Sequence, residues 1–136
     1  MKYLIDTDWV IDHFNNVEKI TRKLEELLPQ GLALSIISVG ELYEGVYYSK
    51  APSKNEKALK DFLKAVAVLE INDGICKIFG KERGLLRRKR EIISDFDLLI
   101  ASTCIYYNLT LLTNNLRHFE RIESLKIFKD DIILDM

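Results

Sequence analysis

The sequence predicts a three-layer α/β/α sandwich with a central, mostly parallel sheet of four or five strands. Short continuous apolar runs alternate with segments whose apolar residues recur every three or four positions. Apolar strands separated by helices are typical of a parallel sheet that helices cover on both faces. The length of 136 residues fits one domain, expected to span 1–136, with enough chain to bury a core.

The strand candidates are the continuous apolar runs. Tyr3-Leu4-Ile5 is the first, and it ends at Asp6 before a helical turn or two over 9–14. The other strands are expected at 32–37, 66–71 and 109–113, with a short fifth at 132–134.

The helices are predicted from apolar spacing and from residues that begin or end a helix. The segment 17–28 has apolar residues three or four apart, and Pro29-Gln30-Gly31 should end it. Pro52 marks a loop, and Ser53 is expected to cap the helix after it. Helices are expected from Ser38 onward and over 54–66, 74–90 and 96–107.

Composition excludes several classes of protein. Apolar residues make up 48% and charged residues 30%, and the net charge is −1, which argues against coating nucleic acid by bulk charge. Cys76 and Cys104 are too few for a disulfide scaffold and are expected to be small buried residues. No apolar stretch reaches the length of a membrane span, and the N-terminus does not read as a signal peptide. These features predict a cytoplasmic protein without a membrane partner.

Acidic residues follow the predicted strands. Asp6-Thr7-Asp8 follows the first strand, Glu41 lies shortly after the second, and Asp97 opens the helix 96–107. Ligands of open parallel sheets bind at the carboxyl ends of strands, so these residues can share one edge. Carboxylates gathered there repel one another unless a cation lies between them, and hard oxygen donors suit Mg²⁺ or Mn²⁺. Hydrolysis of a phosphodiester is the reaction class that such a site predicts.

Each acidic residue also has a purely structural interpretation. Ser38 with Glu41 matches a capping box, as does Ser53 with Glu56. Ser94 with Asp97 is a near-match, and Asp6 could cap the first helix. Spacing alone leaves the metal site and the caps as open alternatives.

Four stretches taken together resemble the PIN-domain proteins, specifically the toxin ribonucleases of the VapBC toxin–antitoxin type. The order and spacing of the stretches agree over nearly the whole chain. They are Tyr3-Leu4-Ile5-Asp6-Thr7-Asp8, Ile37-Ser38-Val39-Gly40-Glu41-Leu42, Phe96-Asp97-Leu98-Leu99-Ile100-Ala101 and the segment 112–122.

The resemblance implies a PIN fold, a homodimer, a cognate antitoxin protein and Mg²⁺- or Mn²⁺-dependent cleavage of RNA. Asp6 and Asp97 match the family's principal metal-binding aspartates, and Glu41 matches the glutamate of its acidic cluster. Asn115 falls where many PIN domains carry a fourth acid. The resemblance therefore predicts Asp6, Glu41 and Asp97 as metal ligands, with Asn115 completing the catalytic set.

Two other functions stay open at the level of sequence. Asp6-Thr7-Asp8-Trp9-Val10 resembles the signature of haloacid-dehalogenase-type phosphatases, although only Asp130-Asp131 could supply a later acidic pair. The neutral Asn115 would suit a PIN module that binds RNA or a partner with weak catalysis. The basic run Arg87-Arg88-Lys89-Arg90 is either a phosphate contact or a solvated helix end.

Overall fold

A computed structural model describes residues 1–129 of the chain. Its five strands are all parallel and form one sheet in the order β3-β2-β1-β4-β5, which confirms the predicted fold class. The strands are β1 (Tyr3–Ile5), β2 (Leu32–Ser35), β3 (Ala67–Leu69), β4 (Thr110–Leu112) and β5 (Lys126–Ile127). The helices are α1 (Thr7–Phe14), α2 (Glu18–Leu27), α3 (Ile36–Tyr47), α4 (Pro52–Leu63), α5 (Asp73–Lys89), α6 (Asp95–Tyr106) and α7 (Leu116–Phe119), with a 3₁₀ turn at Leu28–Gln30.

Successive strand residues face opposite sides of the sheet, so the sheet has two apolar cores. Tyr3 and Ile5 pack with buried residues of α1 to α4 on one face. Leu4 packs on the other face with buried residues of α5, α6 and α7. Both faces of the central strand β1 are covered, which explains why its sequence is continuously apolar.

The sheet changes direction beside β1. From β1 the chain builds outward to β2 and β3, then crosses over to place β4 on the other side of β1. Ile5 pairs with Leu112, and the amide of Asp6 donates to the carbonyl of Leu112 at 2.9 Å. Asp6 and Thr113 therefore leave adjacent strands side by side, at the switch point where open α/β sheets bind ligands.

Two predicted capping boxes are wrong. β2 ends at Ser35 rather than at residue 37, and the Ser35 hydroxyl caps α3 by accepting from the amide of Ile37 at 3.1 Å. Ser38 consequently lies inside α3 and is buried, so it does not form a capping box with Glu41. Ser53 is also internal, because α4 begins at Pro52, whose fixed φ suits the first turn of a helix.

The edge of the sheet and the cysteines also differ in part from expectation. The predicted strand at 132–134 lies outside the described residues, while the unpredicted β5 pairs with β4 through Lys126 and Ile127.

Cys104 is buried as expected, but Cys76 is exposed. Among residues 1–129, no helix is both long and apolar enough to cross a membrane.

Gly31 should be intolerant of a side chain. Its φ is +93°, and an added Cβ would lie 2.7 Å from the Cα of Met1. We expect Gly31→Ala to lower the free energy of unfolding by about 2 kcal/mol or more, since a left-handed conformation and a backbone clash act together. Thermal unfolding beside Gly84→Ala, which adds a Cβ in open space within α5, measures the effect. Equal midpoints for the two variants would contradict this account of the turn.

Candidate active site

Asp6 is a buried carboxylate at the carboxyl end of β1. Only 5% of the residue is exposed. It caps α1, because its Oδ1 accepts from the Thr7 amide at 2.8 Å. Its Oδ2 accepts from the Thr113 hydroxyl at 2.7 Å, which joins the ends of β1 and β4. The capping role anticipated from the sequence is confirmed, and it fixes the orientation of the carboxylate.

The surroundings of Asp6 disfavour its negative charge. Burial, followed by the neighbouring carboxylates of Asp8 and Asp97, raises the pKa of Asp6 to about 7, against the hydrogen bonds from Thr113 and Thr7. A buried carboxylate beside others is stabilised when a cation compensates the charge. The structure therefore brings Asp6, Asp8 and Asp97 into one electrostatic cluster.

Asp8 faces the same end of β4 from the first turn of α1. Its Oδ2 accepts from the Asn114 amide at 3.1 Å. Its Oδ1 is buried and has no hydrogen-bond partner among residues 1–129. Burial is the main cause that raises the pKa of Asp8 to about 6. An oxygen left without a donor in such a place is available to a bound cation.

Glu41 is joined to the cluster through Thr7. The Thr7 hydroxyl donates to Glu41 Oε1 at 2.7 Å and lies 2.8 Å from the hydroxyl of Ser38. Ser38 and Glu41 lie one turn apart on α3, so both can face Thr7 at the start of α1. This network, rather than a helix cap, positions Glu41.

Asp97 lies in the first turn of α6. The Ser94 hydroxyl caps this helix by accepting from the Asp97 amide at 3.2 Å, as the near-match to a capping box suggested. The Asp97 side chain is 27% exposed, and its Oδ2 lies 3.2 Å from His118 Nε2. No motif in the sequence singles out His118, and the structure places it against Asp97.

Asn115 is exposed and directly precedes α7. Its amide donates to the Thr113 hydroxyl oxygen at 3.0 Å, so its backbone is tied to the same threonine that binds Asp6. Its predicted catalytic role stays a prediction.

The donor set suits a hard divalent cation, although the side chains are not drawn together around one point. Among residues 1–129, no three Asp, Glu, His or Cys side chains form a group that could hold a metal ion as they stand. A bound cation would nevertheless compensate the charge of Asp6, whose pKa is raised, and would give the unpartnered Asp8 Oδ1 a partner. Carboxylate oxygens are the ligands preferred by Mg²⁺ and Mn²⁺, so the residues fit such an ion.

Comparison with known proteins shows which family the chain resembles. The PIN domain family matches residues 3–125. The chain is 32% identical to Ribonuclease VapC2 of Rickettsia felis over 133 residues, which covers 92% of this chain and 95% of the relative. It is 30% identical to the tRNA(fMet)-specific endonuclease VapC of Salmonella typhimurium over 127 residues, with 93% and 96% covered.

A solved structure supports the same relationship. VapBC2 from Rickettsia felis, bound to a DNA fragment from its promoter, contains a chain that superposes with a TM-score of 0.89 at 33% identity. The match covers 96% of this chain and 100% of that one. These matches favour the PIN interpretation over the phosphatase alternative, whose acidic pair Asp130-Asp131 lies outside the described residues.

Proposed function

The chain belongs to the PIN-domain family, and on that premise we propose that it is a Mg²⁺- or Mn²⁺-dependent endoribonuclease and the toxin of a toxin–antitoxin pair. The observation that carries the proposal is the buried Asp6, which shares its charge environment with Asp8 and Asp97 at the switch point of the sheet. The relatives named as VapC ribonucleases support the same reaction.

In this proposal Asp6, Asp97 and, directly or through water, Glu41 hold the ion. A bound ion would supply a more acidic water and stabilise charge on the scissile phosphate. Thr113 fixes the orientation of Asp6, and Thr7 does the same for Glu41. Asn115 is exposed directly before α7, where its side-chain carboxamide can contact the substrate.

We propose that the antitoxin uses the apolar groove beside Glu41. The groove lies between α1, α3 and α4 and has a volume of about 350 Å³. It is lined by residues such as Phe14, Leu42, Val46 and Leu59, with Glu41 as the acidic member of the lining. An apolar segment of the antitoxin seated there would lie next to Glu41. The related VapBC2 structure supports an antitoxin partner. A homodimer is also proposed, and Tyr48, 89% exposed at the end of α3, is a side chain that an interface would cover.

The basic end of α5 is the proposed contact for RNA phosphates. Arg87 and Arg88 are exposed, and no salt bridge holds them within residues 1–129. Arg83, one turn earlier, forms an ion pair with Asp95 in the first turn of α6, the turn that carries Asp97. The positive charges of Arg87 and Arg88 therefore lie on α5, which an ion pair joins to α6, the helix that carries Asp97.

Neutralising this charge should weaken substrate binding without slowing chemistry. We expect Arg87→Gln combined with Arg88→Gln to raise KM several-fold and leave kcat nearly unchanged. The slope of log(kcat/KM) against log salt should fall by about 1.4, because each lost phosphate contact on a single strand contributes about 0.7. Lys54→Gln with Lys57→Gln removes two exposed charges on α4 and serves as the control. The same kinetic change in both double variants would contradict a specific basic contact.

Cleavage of RNA tests the proposed function. The purified chain, freed of any antitoxin, is incubated with mixed cellular RNA in EDTA, in Mg²⁺ and in Mn²⁺. We expect discrete fragments with either ion and none in EDTA. A folded protein that binds RNA and cuts nothing under any of these conditions would instead support a binding module.

A further inference from the structure

His118 has a buried ring nitrogen that no hydrogen bond satisfies among residues 1–129. Its Nε2 lies 3.2 Å from Asp97 Oδ2, yet it makes no hydrogen bond within the described part of the chain. The two side chains are 23% and 27% exposed, so the pair is partly open to solvent. The ring also packs edge-on against Phe119, with centroids 5.8 Å apart, which helps to fix its direction.

The spacing of this pair matches that of two neighbouring metal ligands. Donor atoms on adjacent corners of an octahedral site with bonds near ~2.1 Å lie about 3 Å apart. The two atoms are within ion-pair distance but do not form a hydrogen bond, so each retains a lone pair that a cation bound between them could use.

We propose that His118 supplies an imidazole nitrogen to the metal site beside Asp97, and that this nitrogen makes the site prefer Mn²⁺ to Mg²⁺. The inference rests on the proposed function, because it takes Asp97 as a metal ligand. Imidazole favours first-row transition ions, whereas Mg²⁺ prefers oxygen donors, and Mn²⁺ also accepts carboxylates. A site in which His118 adds a nitrogen donor to the carboxylate of Asp97 would therefore favour the ion that accepts both kinds of donor.

Metal binding, measured without RNA, tests the inference. The metal-free full chain is titrated with Mn²⁺, and the loss of the free-ion electron paramagnetic resonance signal gives Kd. Competition with Mg²⁺ gives the second Kd. We expect the wild type to bind Mn²⁺ at least tenfold more tightly than Mg²⁺, and the spin echo of the bound ion to show coupling to a histidine nitrogen.

Two substitutions separate a ligand from a merely structural residue. His118→Ala should weaken Mn²⁺ binding by tenfold or more and change Mg²⁺ binding little, so the preference collapses. His118→Glu replaces the imidazole nitrogen with a carboxylate oxygen, and this variant should bind Mg²⁺ relatively more tightly. His13→Ala is the matched control, since His13 hydrogen-bonds Thr21 and packs against Phe62, away from Asp97. Loss of packing alone would weaken the binding of Mn²⁺ and of Mg²⁺ to the same extent, so the ratio of the two Kd values would stay unchanged.

The outcomes distinguish this inference from the proposed function. Binding that needs Asp97 but shows no nitrogen coupling and an unchanged preference in His118→Ala would overturn the role of His118 alone. Absence of binding of either ion by the folded wild type would overturn the metal site itself. The nitrogen coupling is read on the wild type, so it decides the matter even if a variant fails to fold.

Discussion

Replacing Asp97 with Asn should abolish RNA cleavage while leaving the fold intact. We expect kcat/KM to fall by about 10³-fold or more, equivalent to about 4 kcal/mol of transition-state stabilisation. The Asp97 side chain is partly exposed, and the helix cap from Ser94 uses its backbone amide, which the substitution keeps. Cleavage rates, together with circular dichroism of the same samples, measure both parts of the expectation.

Asp95→Asn is the matched control for this variant. Asp95 lies in the same first turn of α6, but its side chain is 61% exposed and pairs with Arg83 rather than with the acidic cluster. We expect it to retain cleavage within a few-fold of the wild type. Comparable loss in both variants would mean that the start of α6, rather than the carboxylate of Asp97, is what cleavage requires.

Replacing Asp6 with Asn should inactivate the enzyme and stabilise the metal-free fold above neutral pH. The pKa of Asp6 is raised from 3.8 to about 7, so the folded state holds a proton that the unfolded state releases. Stability of the metal-free wild type should therefore fall as the pH rises from about 4 to about 7 and stay low above that range. Asn has no charge to bury, so the stability of the variant should not fall over this pH range because of residue 6.

The size of the effect is large enough to measure by thermal unfolding. A pKa raised by even one unit costs the folded state about 1.4 kcal/mol, or about 3–5 °C for a domain of this size. At pH 8 without metal, Asp6→Asn should thus unfold at a higher temperature than the wild type, and the wild type should regain stability when Mn²⁺ is added. Asp95→Asn should track the wild type. If metal-free Asp6→Asn unfolds at a lower temperature than the wild type at pH 8, the Asp6 carboxylate stabilises the fold, and the prediction is contradicted.

Much of the fold and part of the site follow from the sequence for identifiable reasons. Tyr3–Ile5 and Leu32–Ser35 are covered on both faces, so their apolar runs identified them as parallel strands. Asp6 follows the first of these strands directly, and the rule that ligands bind at strand ends pointed to it. The expected edge of the sheet also included Asp97, and the family resemblance added that Asp6 and Asp97 are the principal metal ligands.

The features that sequence reasoning missed depend on contacts between distant segments. Ser38 and Glu41 matched a capping box in the sequence. In the structure β2 ends earlier and Ser35 caps α3, so Glu41 accepts a hydrogen bond from Thr7 instead. His118 meets Asp97 across 21 positions of sequence, and nothing local marks that contact. β5 has only two residues, one of them exposed, so its hydrophobic signal was too short to detect.

The measurement that tests the central claim most directly is metal-restored cleavage by three proteins in parallel. The wild type, Asp97→Asn and Asp95→Asn are stripped with EDTA, desalted and given the same RNA before and after Mn²⁺ is added. The account predicts no cleavage before addition, cleavage by the wild type and Asp95→Asn after it, and none by Asp97→Asn. Cleavage by stripped wild type, or by Asp97→Asn after addition, would contradict a metal-dependent nuclease built on this acidic cluster.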